Sequence, residues 1–348
     1  MVSQWLSVLS SRALGAGTTP AADGSIPLLT DAGDVFSLSP AKLKAGGLDV
    51  RPVTTLSVPT GLTTPLGATV LSNGRLAAWC GGALPKLWLL NSDGVVIRES
   101  SLPEPLEAAP ILLSGGTLLP LRGKLRLIDA PEFKGTVEDL MPPVDPQQPA
   151  RWKGVLSLDD KQAIAVSDQG RVVRAQVRAE PVPHVAEVSS LELKVPVANP
   201  PVLIGNRLFL ATGKQLRSLD VGTLESRGEV PLPEVVTQGP WVVKNLLLMV
   251  CGRDQLIALN SDPLALAWKQ QLPPGGLAGA PQLRADQLLL GSQSGEISLR
   301  QLTDGAVIRQ MIAGQSLTLG PQFIQEQCFV GTIDGSVLLL NPWLEAMP

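Results

Sequence analysis

The 348-residue chain is 17% charged, carries a formal charge of −3 and has no dense Lys/Arg run, so it lacks the electrostatic footprint of a nucleic-acid binder, which depends on neutralising phosphates. Its 44% hydrophobic content excludes disorder, and its longest apolar runs, such as Leu246 to Val250, fall far short of the roughly 20 residues that span a bilayer. The 34 Gly and 31 Pro point to short strands joined by many turns rather than to helices.

Met1 to Leu14 is mildly apolar but has neither a basic start nor a small-residue cleavage site, so it does not read as a secretion signal. As given, the chain reads as cytoplasmic, or as periplasmic if an N-terminal signal has been removed. Gln4 to Ser10 alternate in the manner of a β-strand with nothing near them in sequence to pair with. Beyond them, self-similarity dominates. Short apolar runs open at Pro20, Ala68, Pro110, Gly154, Pro201, Pro240, Pro281 and Pro321, between 39 and 48 residues apart and about 43 on average. That is the length of one four-stranded propeller blade. The expected fold is all-β, with residues 1–348 forming one eight-bladed β-propeller of four-stranded antiparallel blades.

Each unit repeats one grammar. The turn between its second and third strands reads Ser/Thr-x-x-Gly, as in Thr30 with Gly33, Ser167 with Gly170, Ser292 with Gly295 and Thr332 with Gly335. The glycine supplies the positive φ of a tight hairpin. Asp93-Gly94 and Asp304-Gly305 mark the next turn. Five units then leave the fourth strand through an apolar-Pro step: Val58-Pro59, Leu102-Pro103, Val195-Pro196, Leu232-Pro233 and Leu272-Pro273; proline suits a strand end, where no ladder donor is needed. In the eighth unit only Asn341 to Pro348 follow the third strand, Ser336 to Leu340, so the N-terminal segment is expected to close the last blade and remove a free edge. Ala130 to Pro149 form a Pro-rich, acidic insertion, and the fourth unit lengthens around Glu180 to Ser190; both are expected to be loops available for contacts.

The segment Ala258-Leu259-Asn260 through Trp268 resembles the pyrroloquinoline-quinone-type propeller repeat, Ala-x-Asp-x-x-Thr-Gly-x-x-x-Trp, keeping the Ala and Trp and placing Asn at the acidic position. Ser218, Asp220 and Thr223 are a second partial copy that has Gly228 at the Trp place, and a third keeps Gly305 with Arg309 there. The resemblance implies a PQQ-like or WD40-like architecture along the whole chain. The family contains quinone-dependent dehydrogenases, a lipoprotein scaffold for outer-membrane barrel assembly, and bacterial propellers of unassigned role, so fold does not choose among functions.

Chemistry is harder to assemble. A quinone enzyme would need pyrroloquinoline quinone with calcium, held by carboxylate and amide oxygens, and a catalytic base; no such set is recognisable. The seven Trp residues occupy different repeat positions, and most are expected to pack between blades. Cys80, Cys251 and Cys328 are too scattered for a disulfide framework or metal site and read as buried strand residues. The single histidine, His184, sits in a Pro-flanked stretch expected to be an exposed loop, and Asp93, Asp304 and Asp334 have turn positions. The sequence therefore names no catalytic, cofactor or metal residue. Its possible partner-contact residues are Glu132, Glu138, Asp139, Asp145 and His184. The leading reading is a monomeric, non-catalytic interaction scaffold without a cofactor, binding a protein or another domain of a parent chain; a quinone-dependent oxidoreductase and a periplasmic assembly factor are the alternatives.

Overall fold

The computed structural model describes residues 4–8, 13–16, 23–45, 51–59, 66–130, 136–142, 151–341 and 344. These form an eight-bladed β-propeller of antiparallel sheets. β1 (Gln4–Val8) opens the chain. The first blade comprises β2 (Ala13–Ala16), β3 (Ile26–Thr30), β4 (Asp34–Leu38) and, after helix α1 (Pro40–Lys44), β5 (Thr54–Thr55). The second is β6 (Gly67–Val70), β7 (Leu76–Cys80), β8 (Lys86–Leu90) and β9 (Val96–Ser101); the third is β10 (Ile111–Leu113), β11 (Gly116–Leu121) and β12 (Lys124–Ile128). The fourth is β13 (Trp152–Ser157), β14 (Gln162–Ser167), β15 (Arg171–Arg178) and β16 (His184–Glu192). The fifth is β17 (Val202–Ile204), β18 (Arg207–Thr212), β19 (Gln215–Asp220) and β20 (Ser226–Pro231), and the sixth is β21 (Val236–Val243), β22 (Leu246–Cys251), β23 (Gln255–Ser261) and β24 (Leu264–Gln271). The seventh is β25 (Gln282–Arg284), β26 (Gln287–Gly291), β27 (Glu296–Gln301) and β28 (Val307–Ile312). The eighth combines β29 (Leu317–Ile324), β30 (Gln327–Thr332) and β31 (Ser336–Leu339) with β1, which pairs antiparallel to β31 as expected.

The chain divides into two compact units, residues 1–103 with 268–348, and residues 104–267. Within each unit the core lies between consecutive blades. In the first blade Leu28, Phe36 and Leu38 pack against Leu319, Phe329 and Val337 of the eighth, while Leu29 and Val35 pack against Leu76, Trp88 and Leu90 of the second. The same division holds in the fourth, where Ala163, Ala165, Val173 and Ala175 face one neighbour and Ile164, Val166 and Val172 the other. Alternate residues of a strand point to opposite faces, so a strand buried on both sides must be apolar throughout. This is why the second and third strands of the units read as unbroken Leu, Ile and Val runs.

The Ser/Thr-x-x-Gly turns have a second duty beyond reversal. Each glycine N–H closes on the carbonyl of its Ser or Thr at 3.0 or 3.1 Å, at φ between +85° and +94°. The carbonyls of Gly33, Gly170 and Gly295 then accept, at 2.9 Å, the N–H of the first residue after the fourth strand: Leu56, Leu193 and Ala313. A Cβ on Gly170 or Gly295 would collide with the carbonyl of Val195 or Gln315, so the turn glycine is also where the chain leaving the blade passes closest.

Several expectations shift. Pro240 and Pro321 lie inside β21 and β29, at register irregularities between Gln238 and Trp241 and between Leu319 and Gln322; a bulge leaves a residue out of the ladder, which is where proline fits. The first strand of the first blade precedes Pro20, which lies outside the described residues. Among the described residues the third blade has three strands, and beside the third of them, β12, the insertion expected to be a loop supplies a single bridge, Leu125 with Leu140. The lengthening of the fourth unit is strand rather than loop, because β15 and β16 run for eight and nine residues.

Candidate binding groove

The turn joining β29 to β30 is built from Gln325, at φ +54°, and Glu326. Asn341, buried just after β31, locks it: its Nδ2 donates to the Glu326 carbonyl at 2.6 Å, and its Oδ1 accepts the Cys328 N–H at 2.6 Å. On one side of this turn lies β25 of the seventh blade, and a cleft of about 740 Å³ opens between them, lined by Gln282, Arg284, Phe323, Gln325 and Glu326. On the other side lies α1. Pro40 occupies its first turn, where its missing N–H costs nothing, and Leu43 anchors it in the core shared by the first and eighth blades. A second cleft of about 410 Å³ there includes Asp23, Lys44 and Gln327 and shares Gln325 and Glu326 with the first. The two clefts flank the turn and share its residues Gln325 and Glu326, a polar groove that the turn divides.

Its lining includes the amides of Gln282, Gln325 and Gln327, which both donate and accept hydrogen bonds. Asp23 accepts the Ser25 hydroxyl at 2.6 Å and the Ser25 N–H at 2.9 Å, bonds that hold its carboxyl below the ordinary aspartate range. Arg284 differs from its neighbours: its Nη1 is out of contact with solvent and has no hydrogen-bond partner.

Of the residues singled out from sequence, Glu138, Asp139 and His184 lie elsewhere. Glu138 and His184 form a parallel bridge, the Glu138 N–H donating to the Pro183 carbonyl at 2.8 Å and its carbonyl accepting the Val185 N–H at 3.0 Å. His184 is therefore the first residue of β16, not a loop residue, and its Nδ1 lies 2.8 Å from the Val182 carbonyl. Asp139 accepts a two-pronged contact from Arg126, at 2.9 and 2.6 Å, which pushes the guanidinium further up. Val137 and Leu140 enter the core between the third and fourth blades, so the insertion is tied down there by backbone pairing, burial and an ion pair. Glu132 and Asp145 lie outside the described residues.

Other carboxylates hold turns. Asp220 accepts the N–H groups of Thr223 and Gly222 and an Arg227 nitrogen, between 2.9 and 3.1 Å, and Asp304 accepts the Ala306 N–H at 2.8 Å. Ser57, Lys86, Trp88 and Glu99 form a polar cluster that sequence reasoning missed. Ser57 donates to Glu99 at 3.0 Å and accepts from Lys86 at 3.0 Å, while Lys86 and the Trp88 indole reach the same carboxylate at 2.6 and 3.1 Å. The cluster closes on itself and joins the first blade to the second. Cys80, Cys251 and Cys328 are free, buried strand residues, as expected; burial pushes the Cys251 thiol up to about 11. Trp88, Trp152 and Trp268 pack between blades, whereas Trp79 lies across Gly67 of its own sheet. Trp343 and the side chain of Trp5 lie outside the described residues. Among the described residues no three His, Cys, Asp or Glu side chains converge as metal ligands. Among them, too, no helix is long and apolar enough to cross a membrane.

No family model matches the sequence, and no curated protein matches it. Solved structures do match its fold. BamB from Moraxella catarrhalis is 16% identical, with a TM-score of 0.69, over 96% of this chain and 99% of that one. The computationally designed Ika8 protein is 11% identical, with a TM-score of 0.68, over 97% and 98%. The C-terminal WD40 domain of Sif2 is 10% identical, with a TM-score of 0.71, over 97% of each chain. At these identities the likeness is one of fold: the chain is similar to β-propellers of more than one repeat family.

Proposed function

We propose that this chain is a non-catalytic protein-interaction scaffold whose polar groove holds an extended segment of a partner polypeptide. The observation that carries this reading is the chemistry of the groove: Gln282 and Arg284 of β25 face Gln325 on a turn that Asn341 locks from behind, and Gln327 lines the cleft across that turn. An extended peptide presents alternating N–H and C=O groups, and glutamine amides can answer both. A rigid turn also lowers the ordering cost of binding. The carboxylates that could act as acid or base elsewhere, Asp139, Asp220 and Glu99, are engaged in ion pairs or turns.

In this reading the repeats are degenerate copies of the pyrroloquinoline-quinone type that serve as framework, no cofactor is needed, and one copy of the chain suffices. The partner is another protein or another domain of a parent chain. The test is a selection of peptides from a random display library on the full chain, followed by measurement of their affinity for Glu326→Trp, which fills the groove from an exposed position. Selected peptides should bind that variant at least roughly tenfold more weakly, the loss of about one well-made contact. Peptides indifferent to Glu326→Trp would remove the groove from the account.

A further inference from the structure

The motif Asp-Gly-x-Val-Ile-Arg occurs twice, at Asp93 to Arg98 and at Asp304 to Arg309. Each copy leads into an outermost strand, β9 or β28, whose far edge pairs with no other strand among the described residues. A free edge is a template for a further strand, and proteins usually guard it with charge or proline. β9, β16, β20 and β24 each expose a charged side chain, at Glu99, Glu192, Glu229 and Lys269. The exposed residues of β28 are Val307, Ile308, Gln310 and Ile312, and none is charged. Three of these are large apolar residues, whereas no other strand whose side chains are described exposes more than one.

The backbone of β28 is presented for pairing. The Ala313 N–H reaches the Gly295 carbonyl at 2.9 Å, and the register sets Met311 opposite Ile297 and Arg309 opposite Leu299. Hydrogen-bonding groups alternate between the two sides of an antiparallel strand, so those of Arg309 and Met311 face β27 and those of Gln310 and Ile312 face away. We propose that a second copy of this chain pairs here, β28 antiparallel to β28, about a two-fold axis at Gln310. An isologous contact must be self-complementary, and this register is: Ile308 meets the partner's Ile312, Arg309 meets the partner's Met311, and two Gln310 amides, each donor and acceptor, meet at the axis. Centring the pair on Arg309 instead would oppose two like charges, which destabilises a sheet. β9 fails the same test, because its counterpart of Gln310 is Glu99, already held by Lys86 at 2.6 Å, and two copies would set carboxylate against carboxylate. A six-residue edge offers less than the roughly 1,200 Å² of a stable interface, so the dimer is weak and concentration-dependent. β28 does not line the groove, and the two readings stand separately.

Sedimentation velocity of the full chain, from micromolar to near-millimolar concentration, should show monomer passing to dimer and nothing larger. Gln310→Glu and Gln310→Lys each place like charges at the axis and should each weaken the dimer at least roughly tenfold. A mixture of the two should dimerise at least as well as the parent, since pairing at Gln310 brings opposite charges together. Glu326→Trp should leave the dimer unchanged. Should a charged variant fail to fold, Gln310→Cys, joined by a short bismaleimide, should cross-link to dimer at least roughly tenfold faster than Ser101→Cys on the edge of β9; equal rates contradict the proposal. A chain that stays monomeric throughout overturns it, and a selected peptide that then binds Gln310→Glu more weakly would give the edge to a partner's strand. Dimerisation of both charged variants as strong as the parent's, or a mixture that does not associate, overturns it as well. Growth past the dimer would point to head-to-tail pairing of β9 with β28 and overturn the two-fold.

Discussion

The indole N–H of Trp268 donates to the carbonyl of Leu302 at 2.9 Å, and its ring lies so close to Gly305 that a Cβ there would stand 2.7 Å from it. Strand β24 is thereby pinned to the turn between β27 and β28. This relationship explains two positions of the repeat together: the tryptophan needs a carbonyl to satisfy its one donor, and the turn needs a glycine, at φ +71°, to let the ring approach.

Replacing either partner should loosen the junction. Trp268→Phe leaves the Leu302 carbonyl unsatisfied and is expected to cost about 1–3 kcal/mol, with Trp268→Ala nearer ~3–5 kcal/mol. Gly305→Ala forces a side chain into a left-handed backbone against the ring and should cost roughly 1–3 kcal/mol. Urea midpoints measure all three. A Gly305→Ala protein as stable as the parent would show that the ring does not rest there.

Asp334 links the turn motif to pH. The Thr332 hydroxyl at 2.6 Å and the Ser336 N–H at 3.0 Å both donate to its Oδ1, and Gln315 donates to its Oδ2 at 2.9 Å; these bonds hold the carboxyl well below the usual aspartate range. A folded-state value below the unfolded one, about 3.9, means that the contribution is fully present above that pH and is lost as pH falls through the folded value. Asp334→Asn should therefore be less stable than the parent at pH 7, with the gap narrowing below about pH 4. A gap that stays constant with pH would exclude the carboxylate as its source. Asp23 and Asp220 are shifted in the same direction.

The thiols are shielded as well as scattered. Burial raises all three, Cys251 to about 11, so near pH 8 the folded protein should consume almost none of a thiol-reactive disulfide reagent. In denaturant it should consume three equivalents, one for each cysteine. Rapid reaction of the native chain would contradict their placement in β7, β22 and β30.

Among the described residues β1 alone pairs with the outer edge of β31. Deleting residues 1–10 should expose that edge and lower the melting temperature. An unchanged melt would show that the pairing contributes nothing.

The fold was legible because repetition prints it eight times over: a Ser/Thr-x-x-Gly turn that recurs at the same place in four units outweighs any single ambiguous strand. The legible part stopped where the repeat is broken by something non-local. Pro240 and Pro321 read as strand starts because a bulge is a property of two strands and only one is visible in the local sequence. His184 read as a loop residue because its bridging partner, Glu138, is 46 residues away. The groove was missed for the same reason. Arg284 ends a strand and Gln325 sits in a turn, and they are brought together only when neighbouring blades pack; the one local hint was the amide-rich Gln325-Glu326-Gln327. That a nitrogen of Arg284 has no acceptor is a fact about three-dimensional surroundings that no pattern along the chain encodes.

Hydrogen–deuterium exchange of the full chain, with and without a peptide selected for binding, tests the central claim most directly, because it reports where a polypeptide sits without assuming the site. The account predicts slowed exchange at residues 282–287 and 323–328, with residues 136–142 and 182–192 unchanged. Slowed exchange confined to those latter segments, where Glu138, Asp139 and His184 lie, would contradict it.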